Sequence, residues 1–208
     1  PLTTMRKELR STGIQERFIN LQPLGLDDIR RLIVDALRCS SEQASPLAEM
    51  CFLKTQGNPF FLKQFLQTLY DEGLFKFDTR QGSWAWDVQQ IGNQGMTDNV
   101  VELMAGKIKK LPEATQEALK IAASIGNTFD LKTLAIVKEQ SPSATTRDLW
   151  EALLSGLIVT KDDTYEVTWG STLDTNVTYH FLHDRVQQAA YALIDEARLE
   201  SLHLKIGR

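Results

Sequence analysis

The sequence predicts a mainly α fold with small β elements, on three observations. Apolar residues recur at i, i+3, i+4 and i+7 through most of the chain, the spacing of helices with one buried face. That spacing gives way to strict alternation at Phe75/Phe77 and Trp84/Trp86. It does so again at Leu157/Val159, Tyr165/Val167/Trp169 and Val177/Tyr179/Phe181. Alternation is the period of strands, and these runs are long enough only for a hairpin and a small antiparallel sheet.

Taken in order, Arg17 to Leu24 predicts a short strand (Phe18, Ile19, Leu21) closed by Gln22-Pro23. A helix follows from Asp27, with Ile29, Leu32, Ile33, Ala36 and Leu37 on one face. Asp27 and Asp28 favour its positive N-terminal end. A second helix is predicted from about Ser45, with Pro46 at its first position, to a stop at Gly57. The third starts from Asn58 as N-cap with Pro59 at the first helical position, carries Phe61, Leu62, Phe65, Leu66 and Leu69, and ends at Gly73. Leu74 to Asp87 then reads as a β-hairpin with aromatic cross-strand pairs around Thr79-Arg80-Gln81-Gly82. Gln89 to Gly95 is polar and contains glycine, so a linker and the main subdomain boundary are expected there.

Helical spacing returns after Thr97, read as the cap and followed by Asp98, with Val100, Leu103, Met104, Ile108 and Leu111 on one face. Pro112 opens a helix containing Ala118, Leu119, Ala122 and Ala123, which Gly126 ends. Asp130 can cap a short helix with Leu131, Leu134 and Ala135. Another runs from about Ala144 to Ser155, before Gly156. Among the three alternating stretches that follow, Asp162-Asp163 separates the first two and a polar loop from Gly170 to Asn176 the last two. Three helices and then a small antiparallel sheet is the order of a winged helix. Asp195 to Arg208 is helical again.

A chain of 208 residues, 42% of them hydrophobic, can bury a core, and a net charge of −4 argues against a general polyanion binder. No run approaches the roughly eighteen apolar residues that span a bilayer, and no leader opens the chain, so a cytoplasmic location without a membrane partner is expected. Because it opens on Pro1 rather than Met, a piece of a longer protein is expected. Cys39 and Cys51 are too few for a disulfide framework, fit no zinc spacing, and are expected as reduced thiols. His180 and His183 form an HxxH, but a strand-to-helix junction is poor geometry for two metal ligands on one face, so no metal site is expected. The Gly106-Lys107 pair lies in a helical pattern and ends in Ile108, so it is no phosphate loop. Asp71-Glu72 and Asp195-Glu196 end helical stripes rather than strands and are read as solvated helix termini. No nucleophile–base spacing occurs, and no catalytic residue is expected in this chain alone.

The densest information lies in Phe181-Leu182-His183-Asp184-Arg185-Val186-Gln187-Gln188-Ala189-Ala190-Tyr191. Alternation ends there and a helical stripe (Val186, Ala189, Ala190, Leu193) begins, setting a His-Asp pair on a strand-to-helix corner. On spacing alone the pair is a capping Asp184 beside an ordinary boundary histidine. The alternative is a pair aimed at a ligand.

Three short motifs in order carry a family resemblance: Gln22-Pro23-Leu24, Thr55-Gln56-Gly57-Asn58-Pro59-Phe60-Phe61, and Leu182-His183-Asp184. With the Trp84/Trp86 hairpin and the terminal His203 to Arg208, they make the chain resemble the C-terminal half of a STAND-type P-loop ATPase module. That family is related to the AAA+ and NB-ARC proteins, and the likeness is greatest to the ATPase segment of large bacterial multidomain sensor Ser/Thr–histidine kinases. The resemblance covers nearly the whole chain. It implies the end of a nucleotide-binding core at 1–24, a helical lid with its hairpin at 25–95, a winged-helix domain at 96–194 and the start of a further helical region at 195–208. It implies a regulatory role in an ATP/ADP-dependent signalling switch that closes over nucleotide held by an upstream P-loop core. The magnesium would also sit in that core. Pro59 would pack on the adenine ring, Asn58 would cap the helix behind it, His183 would reach the β-phosphate of ADP, and Asp184 would cap the next helix and orient that histidine. The bland account of Gly57-Asn58-Pro59 is a helix-stop, helix-start turn. Implied partners are the upstream core and kinase domains of the same protein, with self-association as a further expectation.

Two other functions compete. A winged helix invites DNA binding, but the predicted recognition helix sets Arg147 against Asp148 and Glu151. Lys161 is set against Asp162, Asp163, Glu166 and Asp174, the wrong sign for phosphate, so no nucleic-acid partner is expected. A nucleotide-independent interaction scaffold would share the fold and use the aromatic hairpin for docking.

Overall fold

The computed structural model describes residues 19–80, 82–95, 97, 99–161 and 177–207. Helices α1 (Leu26–Leu37), α2 (Ser41–Thr55) and α3 (Pro59–Asp71) lead into a hairpin of β1 (Lys76–Asp78) and β2 (Ser83–Ala85), then α4 (Val88–Asn93). Next come α5 (Val100–Lys109), α6 (Glu113–Ile125), β3 (Thr128–Asp130), α7 (Leu131–Lys138), α8 (Pro142–Leu154), β4 (Ile158–Thr160) and β5 (Thr178–Phe181). Helices α9 (Asp184–Ala192) and α10 (Glu196–Ile206) complete the order. The chain is mainly helical with a few small antiparallel strands, as its periodicity predicts.

The first three helices form because each start is capped and each inner face is apolar. Asp28 accepts a hydrogen bond from the Gly25 amide (3.0 Å), and Ile29 and Ile33 bury α1 against α2. Ser40 Oγ accepts from the Gln43 amide (3.2 Å), so α2 begins four residues before the predicted Ser45. Pro46 therefore sits inside the helix rather than at its start. It deprives the Glu42 carbonyl of its partner, an exposed position where water can serve instead. In α3, Asn58 and Pro59 occupy the expected cap and first position, and Phe61, Leu62, Phe65 and Leu69 are buried.

The segment predicted as a strand to Leu24 is not one over residues 19–24, and Arg17 and Phe18 lie outside the described residues. Alternation makes a strand only where a neighbour supplies a ladder. Among the described residues none stands beside it, and Ile19 and Leu21 are exposed. What ties the segment down is the Leu24 amide donating to the Gly57 carbonyl at 2.8 Å. Gly57 has φ +72°, and a Cβ there would overlap the Leu24 carbonyl oxygen. Only glycine satisfies both the left-handed backbone and the close approach.

The hairpin forms with the expected aromatic cross-strand pairing, and its register sets Phe77 opposite Trp84. Those rings meet edge to face at 5.3 Å, and Trp84 also meets Tyr70 of α3 at 5.9 Å. Phe75 and Trp86 form a second T-shaped pair at 6.1 Å, so both tryptophans are seated against their own subdomain. The predicted linker from Gln89 to Gly95 is instead mostly the short helix α4. Asp87 accepts from the Gln89 and Gln90 amides (2.8 and 3.2 Å) and Ile91 is buried. One cap and one apolar anchor suffice there, a signal too small to show as periodicity.

In the second half, Asn99 rather than Thr97 caps α5, accepting from the Val101 amide at 2.9 Å. Thr97 holds the Asn99 amide (3.1 Å) and donates to Glu102 (2.6 Å). Ser141 caps α8, whose first residue Pro142 lies two residues before the predicted Ala144. The strand β3 was not predicted; three residues are too few to alternate visibly. It pairs with β5, which pairs with β4, all antiparallel, giving the order β3-β5-β4. The predicted Tyr165/Val167/Trp169 strand and the loops flanking it lie outside the described residues. Central β5 sends Tyr179 and Phe181 into the core, where both rings pack on Phe129 at 5.7 Å. Helix α9 lies across α5 and α6, and Lys138 of α7 makes a nearly buried ion pair with Asp148 of α8 (3.0 Å).

Two measurements check these local causes. Gly57→Ala should cost about 2–3 kcal/mol, because strain and overlap add. Gly73→Ala, which shares a positive φ (+69°) but meets nothing within 4 Å, should cost only about 1 kcal/mol. Thermal unfolding of the two variants reads the difference. At α7, Asp130 accepts from both the amide and the hydroxyl of Thr133 (2.7 Å each). Burial alone would raise that carboxyl, but the two Thr133 bonds, together with its own amide and the charge of Lys132, hold it below the ordinary value. A lowered folded-state value means the cap contributes fully above the ordinary carboxylate range and is lost as pH falls through it. Asp130→Ala should therefore cost about 1 kcal/mol at pH 7, and its deficit against wild type should shrink below about pH 4 in urea titrations.

Candidate functional site

The His183 corner is built by β5. The Leu182 amide donates to the Leu157 carbonyl and the Phe181 amide to the Asn127 carbonyl, both at 3.0 Å, so the chain stays extended up to the turn. His183 then has φ −155° and ψ 148°, and its Nδ1 accepts from the Arg185 amide at 3.2 Å. His183 is itself the N-cap of α9. Asp184, expected to cap, is already the first helical residue and exposed, where its charge favours the positive helix end. The correction is geometric: a cap needs extended backbone with its side chain folded over the first turn, and the strand supplies that backbone to position 183.

Capping also fixes the tautomer. A ring nitrogen that accepts an amide hydrogen carries none, so the neutral ring holds its proton on Nε2 and offers a donor there. One face of the imidazole is stacked on Phe60, with ring centroids 4.2 Å apart and planes 18° apart. Phe60 follows Pro59 in the first turn of α3, where Asn58 Oδ1 accepts from the Phe61 amide at 2.9 Å. The turn at Asn58-Pro59 and the corner at His183-Asp184 thus come together through one ring. Asn58 and Pro59 are exposed, and His183 is half-buried.

Pro59 faces an apolar hollow of about 450 Å³ between α1 and α3, lined also by Leu24, Leu32, Ile33, Leu37 and Leu62. His183 is not among the residues around it. Proline and histidine therefore lie at the same helix start without sharing this hollow. Further along α3, Phe60, Gln64, Thr68 and Glu72 form an i, i+4 row. Gln64 accepts from Lys107 Nζ (2.8 Å) and Glu72 pairs with Lys110 (3.2 Å), bridging α3 to α5. Burial lowers the Lys107 ammonium against the opposing pull of Asp71.

Sequence reasoning did not single out Phe60. A signal was present: Phe61, Leu62 and Phe65 already fill the inner face of α3, which leaves Phe60 as a surplus aromatic beside a helix-starting proline. Elsewhere the chemistry is sparse. Burial pushes the Cys51 thiol up to about 12 and raises Cys39 as well, which disfavours thiolate at neutral pH. Among the described residues no three His, Cys, Asp or Glu side chains are placed to hold a metal ion, and no helix is long and apolar enough to cross a membrane. The outward side of α8 carries Arg147, Trp150, Glu151 and Leu154, all exposed.

The cap makes a separable prediction. His183→Ala should cost about 1 kcal/mol of stability in urea unfolding, and His183→Asn, which restores an acceptor, should recover most of it.

No protein-family model and no solved structure matches the chain. It is similar to the hybrid signal transduction histidine kinase G of Dictyostelium discoideum, 35% identical over 217 aligned positions that cover 91% of the chain. The chain spans 6% of that kinase's length.

Proposed function

We propose that this chain is the regulatory lid and winged-helix portion of an ATP/ADP-dependent signalling switch in a multidomain kinase. It would close over nucleotide held by a P-loop core upstream, at the cytoplasmic side of a signalling pathway. The observation that carries the proposal is the Phe60–His183 stack, which joins the Asn58-Pro59 turn to the His183-Asp184 corner across most of the chain. The similarity to a hybrid signal transduction histidine kinase supports a place among the domains of a signalling protein. The order helix, strand, helix, helix, strand, strand from α6 to β5, with sheet order β3-β5-β4, supports a winged helix over 96–194. Residues 25–95 would be the lid, 1–24 the end of the core and 195–208 the start of a further helical region.

The candidate residues fit a nucleoside diphosphate in chemical type. Pro59 presents an apolar face beside an apolar hollow, suited to a purine ring. His183 presents an Nε2–H donor, suited to a phosphate oxygen. Asn58 holds the helix that carries Pro59, and Asp184 sits at the start of α9 rather than capping it. Magnesium would belong to the upstream core. Exchange of ADP for ATP would turn the terminal β-phosphate into an internal one carrying a γ-phosphate, break the bridge from His183 and release the corner, shifting a two-state equilibrium by its differential contacts. Partners would be the core and kinase domains of the same protein. A nucleotide-independent scaffold draws less support, because Trp84 and Trp86 pack on Tyr70 and Phe75. DNA binding draws least, since the outward side of α8 places Trp150, Glu151 and Leu154 beside Arg147.

In a longer protein containing this chain, His183→Ala should weaken ADP retention about tenfold or more, the loss of one charge-assisted hydrogen bond, and raise basal output. ADP affinity measured by calorimetry decides it: a folded variant with unchanged affinity removes the nucleotide role of His183. Sequence upstream of Pro1 without a G-x-x-x-x-G-K-[ST] loop removes the switch altogether.

A further inference from the structure

We propose that Phe60 is the positioning residue for His183, so that the histidine holds its donor in working direction only while the first turn of α3 is seated against it. The functional half of this proposal rests on the nucleotide role of His183; the positional half does not. Three features carry it. The ring of Phe60 is surplus to the inner face of α3, which Phe61, Leu62, Phe65 and Leu69 fill, yet it lies parallel to the imidazole at 4.2 Å. An imidazole held only through Nδ1 can still rotate about that hydrogen bond; a second, flat contact removes the freedom. The parallel arrangement also matters chemically. An N–H pointing into an aromatic face would be spent on that face, whereas stacked planes leave the Nε2–H in the imidazole plane and free for an outside acceptor.

The placement of Phe60 makes the contact conditional. It directly follows Pro59, so whatever holds or displaces that proline moves the ring that orients the histidine. Gln64 and Glu72 continue the same i, i+4 row with their bonds to Lys107 and Lys110, which gives the first turn of α3 one seated arrangement against the second half of the chain. An aliphatic side chain at position 60 would fill volume but could not hold the imidazole flat.

The test uses Phe60→Leu and Phe60→Tyr. In the 208-residue chain, Phe60→Leu should let the ring leave its cap position, so that the Arg185 amide exchanges hydrogen several-fold faster while the Thr133 amide, capped by Asp130, keeps its rate. Long-range proton–nitrogen spectra should show the His183 ring, assigned by its loss in His183→Asn, drifting from a pure Nε2–H form to a mixture. Phe60→Tyr should match wild type in both. An unchanged Arg185 rate and an unchanged tautomer in Phe60→Leu overturn the proposal, as does equal acceleration at Arg185 and Thr133. In the longer protein, Phe60→Leu should weaken ADP about as much as His183→Ala, the double variant should be no weaker than His183→Ala alone, and Phe60→Tyr should bind normally. If His183→Ala weakens ADP and Phe60→Leu does not, positioning by Phe60 is overturned. If neither does, the nucleotide role fails, and the exchange rates and spectra still decide whether Phe60 positions the ring.

Discussion

Two helix starts facing each other are the constraint on which the site depends. Asn58 starts α3 and His183 starts α9, each by folding a side chain back over the first free amides of its own helix. Neither cap can be moved by one residue without turning Phe60 or the imidazole away from the other. The strand β5 fixes the second start, because it sits between two neighbours with Tyr179 and Phe181 locked on Phe129. The Leu24–Gly57 contact fixes the first, because it leaves the chain no alternative to glycine at the entry. Core packing thus reaches the surface chemistry through two turns, with no long loop between.

The contacts between α3 and the second half add stacked and polar groups to a hydrophobic core that runs continuously through both. Beside the buried aliphatic and aromatic groups stand the Phe60–His183 stack, the Lys107–Gln64 bond and the exposed Glu72–Lys110 pair. Exposed ion pairs contribute about 0–1 kcal/mol and neutral hydrogen bonds about 1 kcal/mol net. The polar contacts therefore orient α3 on the second half more than they hold it there, and the shared core does the holding.

Helices with strong stripes were legible in the sequence, and so were the Asn58-Pro59 start and the aromatic hairpin. Each rests on interactions within a few residues of chain. The misses have a common physical cause: the deciding partner was distant or the element too short. The alternation before Leu24 needed a neighbouring strand to become one. Helix α4 rested on Asp87 and Ile91 alone. The cap of α9 fell to His183 rather than Asp184 because β5, paired on both sides, carried extended backbone one residue further. Of the candidate site, the four residues named from motif order did fall at two facing helix starts; for Phe60, the ring that joins them, the neighbourhood marked a surplus aromatic but not the distant His183 that it meets.

The clamp of Leu24 on Gly57 gives α3 the mechanics of a lever with its fulcrum at one end. Any displacement arriving along the chain from before Leu24 is delivered at the root of the helix, next to Pro59 and Phe60. The helix has 13 residues, so it is roughly 20 Å long, and a tilt of roughly 10° at the root carries its far end roughly 3 Å. The stack near the pivot would slide by a fraction of that, while the Glu72–Lys110 pair at the tip would be pulled fully apart. Small rotations would therefore unfasten the tip first and leave the ring contact until last.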